Sequence, residues 1–267
     1  FFNQVREKIG ALPGAQSVGL SSCLPLGNNG WQTSFTVAGQ PAPPPGKAPS
    51  MEACVADIGY FETMRIPLLR GRWFNEQDNR AHLRPEDLQG RSPIEQFVAG
   101  LRSIVIDEEF ARRHWPNEDP IGKQIKLGMA SDASSITVVG VVGRVKMEGL
   151  RNNSDRVQGY FPFRQFPFSR MVFTVRTQLA PEQLTASVRR QVQEVDPNQP
   201  IFEARTLEQI RAETVAPERL NLMLFGVFAG AIADNFDRRR IMLASQFGML
   251  AVSAALTVLT WLGWIGP

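Results

Sequence analysis

Apolar positions recur along this chain with two periods before giving way to an unbroken apolar run. Phe2, Val5 and Ile9 repeat every three to four residues and Gly10 follows, which predicts a short helix over residues 2–10. After the turn Leu12-Pro13-Gly14, residues 17–22 read as a strand and residues 35–37 as a second. The Pro-rich stretch Gln40 to Pro49 reads as a surface loop. Residues 51–58 alternate in part and predict a strand; Gly59-Tyr60-Phe61 opens a short helix that ends before Pro67. The polar stretch Asn75 to Gly100 reads as loop with a weak helix.

Regular texture then returns. Residues 103–106 form an apolar strand, and residues 108–115 a helix with Phe110 and His114 on one face. Asp119 to Lys123 turns into the strand 124–127. Residues 136–145 are a buried β-branched strand whose glycines, Gly140 and Gly143, mark close packing or a bulge. Residues 171–176 form another strand. Pro181 to Val195 is the clearest helix, with Pro181 in its first turn and Leu184, Val188, Val192 and Val195 in one stripe. A strand at 200–204 and a helix at 206–215 capped by Thr206 close this part. Strands and helices neither alternate strictly nor segregate, so the expected class is α+β, with two lobes of mixed α/β content.

The end of the chain differs. Ile241 to Ile265 carries no charge, which is long enough to cross a bilayer core of roughly 20 residues. Trp261 and Trp264 sit near its far end, and Arg238, Arg239 and Arg240 mark the near end as cytoplasmic. Leu220 to Ala233 is apolar but short for a span. Together they predict a transmembrane hairpin over residues 216–267 with a cytoplasmic loop at 234–240, leaving residues 1–215 periplasmic or extracellular. The expected location is a membrane, with the lipid bilayer as a partner. Phe1-Phe2-Asn3 opens with neither Met nor a leader, so the chain reads as a fragment with an upstream part missing.

Composition adds little to this picture. Lys and Arg number 29 against 26 Asp and Glu, a net charge of +3 with basic residues scattered among acids, which argues against nucleic acid as a partner. Cys23 and Cys54 pair once in an oxidising compartment or serve as small apolar core residues. His82 and His114 have no ligand partners at metal spacing, and His114 reads as a helix-surface residue. Gly122-Lys123 lacks the rest of a phosphate loop, and no Gly-x-Ser-x-Gly elbow is present. Glu108 and Glu109 are adjacent on a helix and read as solvated. No catalytic residue, cofactor or metal is expected, and the chain reads as no enzyme.

A family resemblance sharpens this reading. Its residues are Leu12-Pro13-Gly14-Ala15, Gly59-Tyr60-Phe61-Glu62-Thr63-Met64 with Ile66 to Arg72, and Ile106-Asp107-Glu108-Glu109-Phe110-Ala111 with Trp115-Pro116. They continue in Glu118 to Lys123, Val138 to Gly143 and Asp196 to Pro200. In this order they resemble the MacB-like periplasmic core domain of FtsX-like ABC-transporter permeases, over about residues 1–230. The resemblance implies a core domain over residues 1–215, with one lobe inserted at about 65–135 and the stretch 75–101 as an insertion. It further implies a non-catalytic permease subunit or fragment of a bacterial ABC-type export or mechanotransmission system, placed in the inner (plasma) membrane. Its implied partners are a separate cytoplasmic ATPase, a second permease protomer in a dimer, and a periplasmic partner protein.

The segment Gly230 to Arg240, with Gly230, Asp234, Asp237, Arg238, Arg239 and Arg240, resembles instead the loop between the second and third helices of major-facilitator exporters. Residues 242–265 are similar to the third helix that follows. That resemblance implies a gating or anchoring role for the loop. The alternative functions are therefore a fragment of a major-facilitator efflux transporter with a fused outer domain, or a membrane-anchored interaction module.

Overall fold

A computed structural model describes residues 1–27, 30–41, 43–44, 46–75, 77–78, 89–90, 96, 100–128, 135–147, 156–165, 170–214 and 250. Residues 1–211 form one compact unit and residues 212–267 a second, of which only 212–214 and Leu250 are described. The expected hairpin, its loop and most of the insertion 75–101 thus lie outside the described residues. Among the described residues no helix is long and apolar enough to cross a membrane.

The first unit begins with helix α1 (Phe2–Gly10), which buries Val5 and Ile9 as its periodicity demands. Strands β1 (Ala15–Ser21), β2 (Trp31–Val37) and β3 (Ser50–Ala56) follow. Helix α2 (Ile58–Met64) is capped by Asp57, whose side chain accepts from the Tyr60 N–H, and it ends at Arg65 in the left-handed region, φ 55°. Then come β4 (Leu68–Gly71), β5 (Ser103–Asp107), α3 (Glu108–His114), β6 (Gln124–Leu127), β7 (Ile136–Val142), β8 (Val157–Pro162) and β9 (Val172–Thr177). Helix α4 (Pro181–Val195) carries Pro181 at its start and buries Leu184 and Val192. Residues 207–214 form a last helix, α5. Thr206 caps it: its Oγ1 accepts from Gln209 N (3.1 Å) while Gln209 Oε1 accepts from Thr206 N (2.9 Å), a reciprocal capping box.

Nine strands form one sheet, and the pairing closes on itself. Strand β2 changes partners halfway: Trp31 to Ser34 pair with β3, and Phe35 to Val37 pair with β6. The circuit then runs β6–β7–β5–β8–β3 and back to β2. Closure gives each of the six strands of the circuit two ladder partners. Strands β1 and β9 extend from β3, and β4 from β7. The segment expected as an inserted lobe, about 65–135, contributes β4, β5 and β6 to this same sheet.

Alternation sorts side chains between two cores. Met51, Ala53 and Val55 of β3 and Ile104 and Ile106 of β5 face the main core with Phe35, Ile125, Leu127, Val157 and Phe161. Cys54, Ala56, Val105 and Tyr160 face a second core under α2 with Phe61 and Phe74. In β7 the alternation slips: Val138 and Val141 face the first core, Val139 and Val142 the second. A register shift opposite Ile104/Val105, where Val138 and Gly140 pair with successive residues, produces the slip. A Cβ at Gly140 would lie 2.4 Å from the Arg72 carbonyl, so the bulge and the close approach foreseen there coincide. A third core joins α1, α4 and the outer face of β9.

Four sequence expectations are corrected. Residues 201–206 are irregular, so the strand at 200–204 is absent; Ile201 packs into the third core without a ladder partner. Strands β4 and β8 were not foreseen. Glu109 is covered rather than freely solvated, because Arg112 and Arg113 of the same helix pair with it and close over it. The His114 ring packs against Phe35 and Phe110, each at 5.1 Å, and so is no plain surface residue.

Candidate functional site

Buried carboxylates at strand ends organise the polar interior. Asp57 stands between β3 and α2. Its Oδ1 accepts from Leu20 N (2.9 Å) and Tyr60 N (2.8 Å), and its Oδ2 pairs with Arg6 of α1 (2.8 Å). One side chain thus ties α1, β1 and α2 together. The close seat of α2 on β1 needs glycine: a Cβ at Gly59 would lie 2.3 Å from the Val18 carbonyl, and one at Gly19 would lie 2.3 Å from the Tyr60 Cα. The Gly59-Tyr60-Phe61 motif therefore reports a backbone contact.

Asp107 repeats the device at the β5–α3 junction. Its Oδ1 accepts from Phe110 N (2.9 Å) and Gln158 N (3.1 Å). Glu52 lies opposite Gln158 across β3–β8, and the β5–β8 ladder brings Asp107 to its other side. A buried carboxylate–amide–carboxylate row thus crosses three strands. The Gln158 amide clamps Val145, accepting from its N–H (3.3 Å) and donating to its carbonyl. Among the described residues Asp107 Oδ2 has no hydrogen-bond partner, and the Arg144 Nε lies 3.9 Å from it. Burial pushes the Asp107 carboxyl up to about 6, against the pull of the Gln158 and Phe110 N–H groups and Arg144. Burial also raises the phenols of Tyr60 and Tyr160, with nearby Glu52 adding to both.

A third carboxylate, Asp78, closes the ends of the insertion. It accepts from Arg72 before the insertion (2.5 and 3.1 Å) and from the Ser103 hydroxyl after it (2.6 Å), with Asn75 N as a further donor (2.7 Å). Burial raises its pKa, but these donors outweigh burial and hold it below the usual carboxylate range. Cys23 and Cys54 are joined in a disulfide with Cα atoms 5.7 Å apart, which settles the two readings left open by the sequence. The bridge pins the chain after β1 to the middle of β3.

A cleft lined by Asn3, Arg6, Asp57, Phe74, Phe163 and Arg164 encloses about 170 Å³. That is below the roughly 300 Å³ at which small-molecule sites begin. Among the described residues no group of three His, Cys, Asp or Glu side chains is placed to hold a metal ion. The residues of the expected cytoplasmic motif, Gly230, Asp234, Asp237, Arg238, Arg239 and Arg240, lie outside the described residues. Sequence reasoning missed Asp57, Asp107 and Gln158. An acid directly before a short helix is the cap signal that would have found the first two.

These arrangements define a bracing domain, in which buried acids and glycines fix junctions between strands and helices. The MacB-like periplasmic core domain family matches residues 24–195, and the chain belongs to that family. A second family, described as transmembrane secretion effector, matches residues 206–267. No curated protein matches the chain. Solved structures similar to it include the extracellular domain of the noncanonic ABC-type transporter YknZ from Gram-positive bacteria, at 15% identity, 76% of this chain, 87% of that chain and TM-score 0.46. The periplasmic region of MacB from Actinobacillus actinomycetemcomitans is similar at 14% identity, 72% of each chain and TM-score 0.45. A domain of a putative permease protein from Porphyromonas gingivalis follows at 15% identity, 75% of this chain, 84% of that chain and TM-score 0.45.

Proposed function

We propose that the chain is a non-catalytic permease component of a bacterial ABC-type export or mechanotransmission system. The observation that carries this reading is the family match over residues 24–195, which spans most of the described unit. In it, residues 1–215 form the outer domain, residues 216–267 the membrane hairpin, and a separate cytoplasmic ATPase supplies the energy. A second permease protomer and a periplasmic partner protein complete the assembly. The buried Cys23–Cys54 disulfide supports the outer location, since such bonds persist in oxidising compartments. Gly230, Asp234, Asp237, Arg238, Arg239 and Arg240 then form the inner loop that anchors or gates the hairpin.

Labelling of intact cells tests the sidedness. Lys47 is exposed in the β2–β3 loop, and the described residues include no free cysteine. A membrane-impermeant maleimide should label Lys47→Cys from outside and Asn235→Cys only after permeabilisation; the reverse pattern would refute the placement. The match of residues 206–267 to the transmembrane secretion effector family favours one second reading, a segment of a major-facilitator exporter carrying an outer domain. Export that stops when the ATPase is inactivated supports the first reading. Export that survives this but stops on collapse of the proton gradient supports the second.

A further inference from the structure

Residues 143–147, just after β7, belong to no strand, yet distant parts of the chain hold them. Gly143 N donates to the Pro67 carbonyl before β4 (3.0 Å), and the Lys146 carbonyl accepts from Leu26 N after β1 (3.1 Å). Gln158 of β8 clamps Val145 through both ends of its amide. Met147 is buried in the second core. The stretch is a strap laid across segments far apart in sequence.

Arg144 lies within this strap and reaches back to Asp107. Its Nε stands 3.9 Å from Asp107 Oδ2, its Nη2 donates to the Arg156 carbonyl (3.2 Å), and its backbone N–H to Glu108 Oε1 (3.4 Å). Asp107 is buried, with two backbone donors on Oδ1 and, among the described residues, none on Oδ2. The strap is therefore tied to Asp107 twice: by charge at Arg144, and through Gln158, whose N–H is held by Oδ1. A proton added at Oδ2 removes the charge. It also sets an O–H donor against a guanidinium that has only donors to offer. The tie at Arg144 then fails while Oδ1 keeps its two donors.

The other charged groups around Asp107 have different behaviour. Burial raises the Glu109 carboxyl of α3, but Arg113 and Arg112 outweigh it and hold the group below the usual range. Glu108 lies on the exposed side of the same helix. Glu52 of β3 stands beyond Gln158, and the phenols of Tyr60 and Tyr160 are raised and stay neutral. Arg156 precedes β8. Asp107, pushed up to about 6 by burial, holds its proton below that value and loses it above. The tie to Arg144 thus exists on the alkaline side.

We propose that residues 143–147 form a proton-gated latch: ionised Asp107 keeps Arg144 and the strap closed, and protonation of Asp107 lets them loosen. The latch belongs to the first unit alone and holds on whichever side of a membrane that unit lies.

Hydrogen exchange of the purified full chain at pH 5.0 and 7.5, corrected for the intrinsic rates, tests this. Amides of residues 144–147 should open about two- to fivefold more readily at pH 5.0, the size expected of one part-exposed ion pair. Asp107→Asn should abolish that response and leave the strap at pH 7.5 as open as the wild type at pH 5.0, with β7 no less protected. Arg144→Gln, which leaves the buried groups in place, should do the same. Glu108→Gln should keep the response. A wild-type strap indifferent to pH would overturn the latch, as would a response that survives Asp107→Asn or Arg144→Gln or vanishes in Glu108→Gln. A strap better protected in Asp107→Asn, along with the rest of the sheet, would also overturn it, since the charge would then only destabilise.

Discussion

Replacing Asp107 by Asn should stabilise the domain at neutral pH and leave it nearly unchanged in acid. In the wild type, the carboxyl rises from 3.8 to about 6 on folding, because burial outweighs the donors around Oδ1. A carboxyl raised by folding favours the folded state fully below the unfolded value. That advantage is lost as pH climbs through the folded value. The interval from 3.8 to about 6 corresponds to about 3 kcal/mol at 1.36 kcal/mol per pH unit. Asparagine keeps an oxygen for Phe110 N and Gln158 N and remains a good helix cap. It removes the buried charge and also the partner of Arg144 at 3.9 Å, so about 3 kcal/mol is the ceiling of the gain. Urea unfolding of the compact unit, residues 1–211, at pH 4.0, 5.5 and 7.5 measures it. The variant's advantage should be near zero at pH 4.0, intermediate at 5.5 and largest at 7.5. An advantage independent of pH, or a variant weaker than wild type at pH 7.5, would refute the account of Asp107 as a charge held against desolvation.

Further outcomes follow from packing and covalent geometry. A Cβ at Gly159 would lie 2.8 Å from both Ile104 Cδ1 and Met51 Sδ, so Gly159→Ala should cost about 1–3 kcal/mol in urea unfolding. Met51→Ala in the same chain should recover part of that loss; strictly additive losses would refute the steric cause. Removing the disulfide by Cys23→Ala with Cys54→Ala opens a loop of sequence separation 31. The loop-entropy relation then predicts a loss of about 3–4 kcal/mol, seen as a lower urea midpoint, and an unchanged midpoint would show that the bridge constrains nothing. Asp78→Ala strands the Arg72, Ser103 and Asn75 donors. It should destabilise by about 2–4 kcal/mol at pH 7. Because its pKa is lowered by folding, the difference from wild type should shrink in acid.

Local rules made much of the fold legible and the closure illegible. Helices α1 and α4 followed from apolar stripes ended by Gly10 and begun by Pro181. Strands β3, β5 and β7 followed from runs whose alternation or β-branching leaves no helical reading. Strand β8 was hidden because Gly159 and Pro162 look like turn residues. Gly159 is instead a strand position where Ile104 and Met51 leave no room. Strand β4 is four residues that follow Pro67 and end in the positive-φ Gly71, too short to show a period. The partner change of β2 depends on strands nearly a hundred residues apart, a distance at which periodicity carries no information. The buried row Glu52, Gln158 and Asp107 was equally hidden, since each member reads as ordinary polar surface until register places them side by side. The segment Gly230 to Arg240 lies outside the described residues, so its expected role stays a reading of charge and resemblance.

The partner change in β2 has a mechanical corollary. A ribbon of strands peels from its margin one ladder at a time, whereas a hoop has no margin from which to begin. Prising any member of the β2–β6–β7–β5–β8–β3 hoop loose means breaking two ladders at once. A pull entering on one side of such a hoop arrives at the other with little slack.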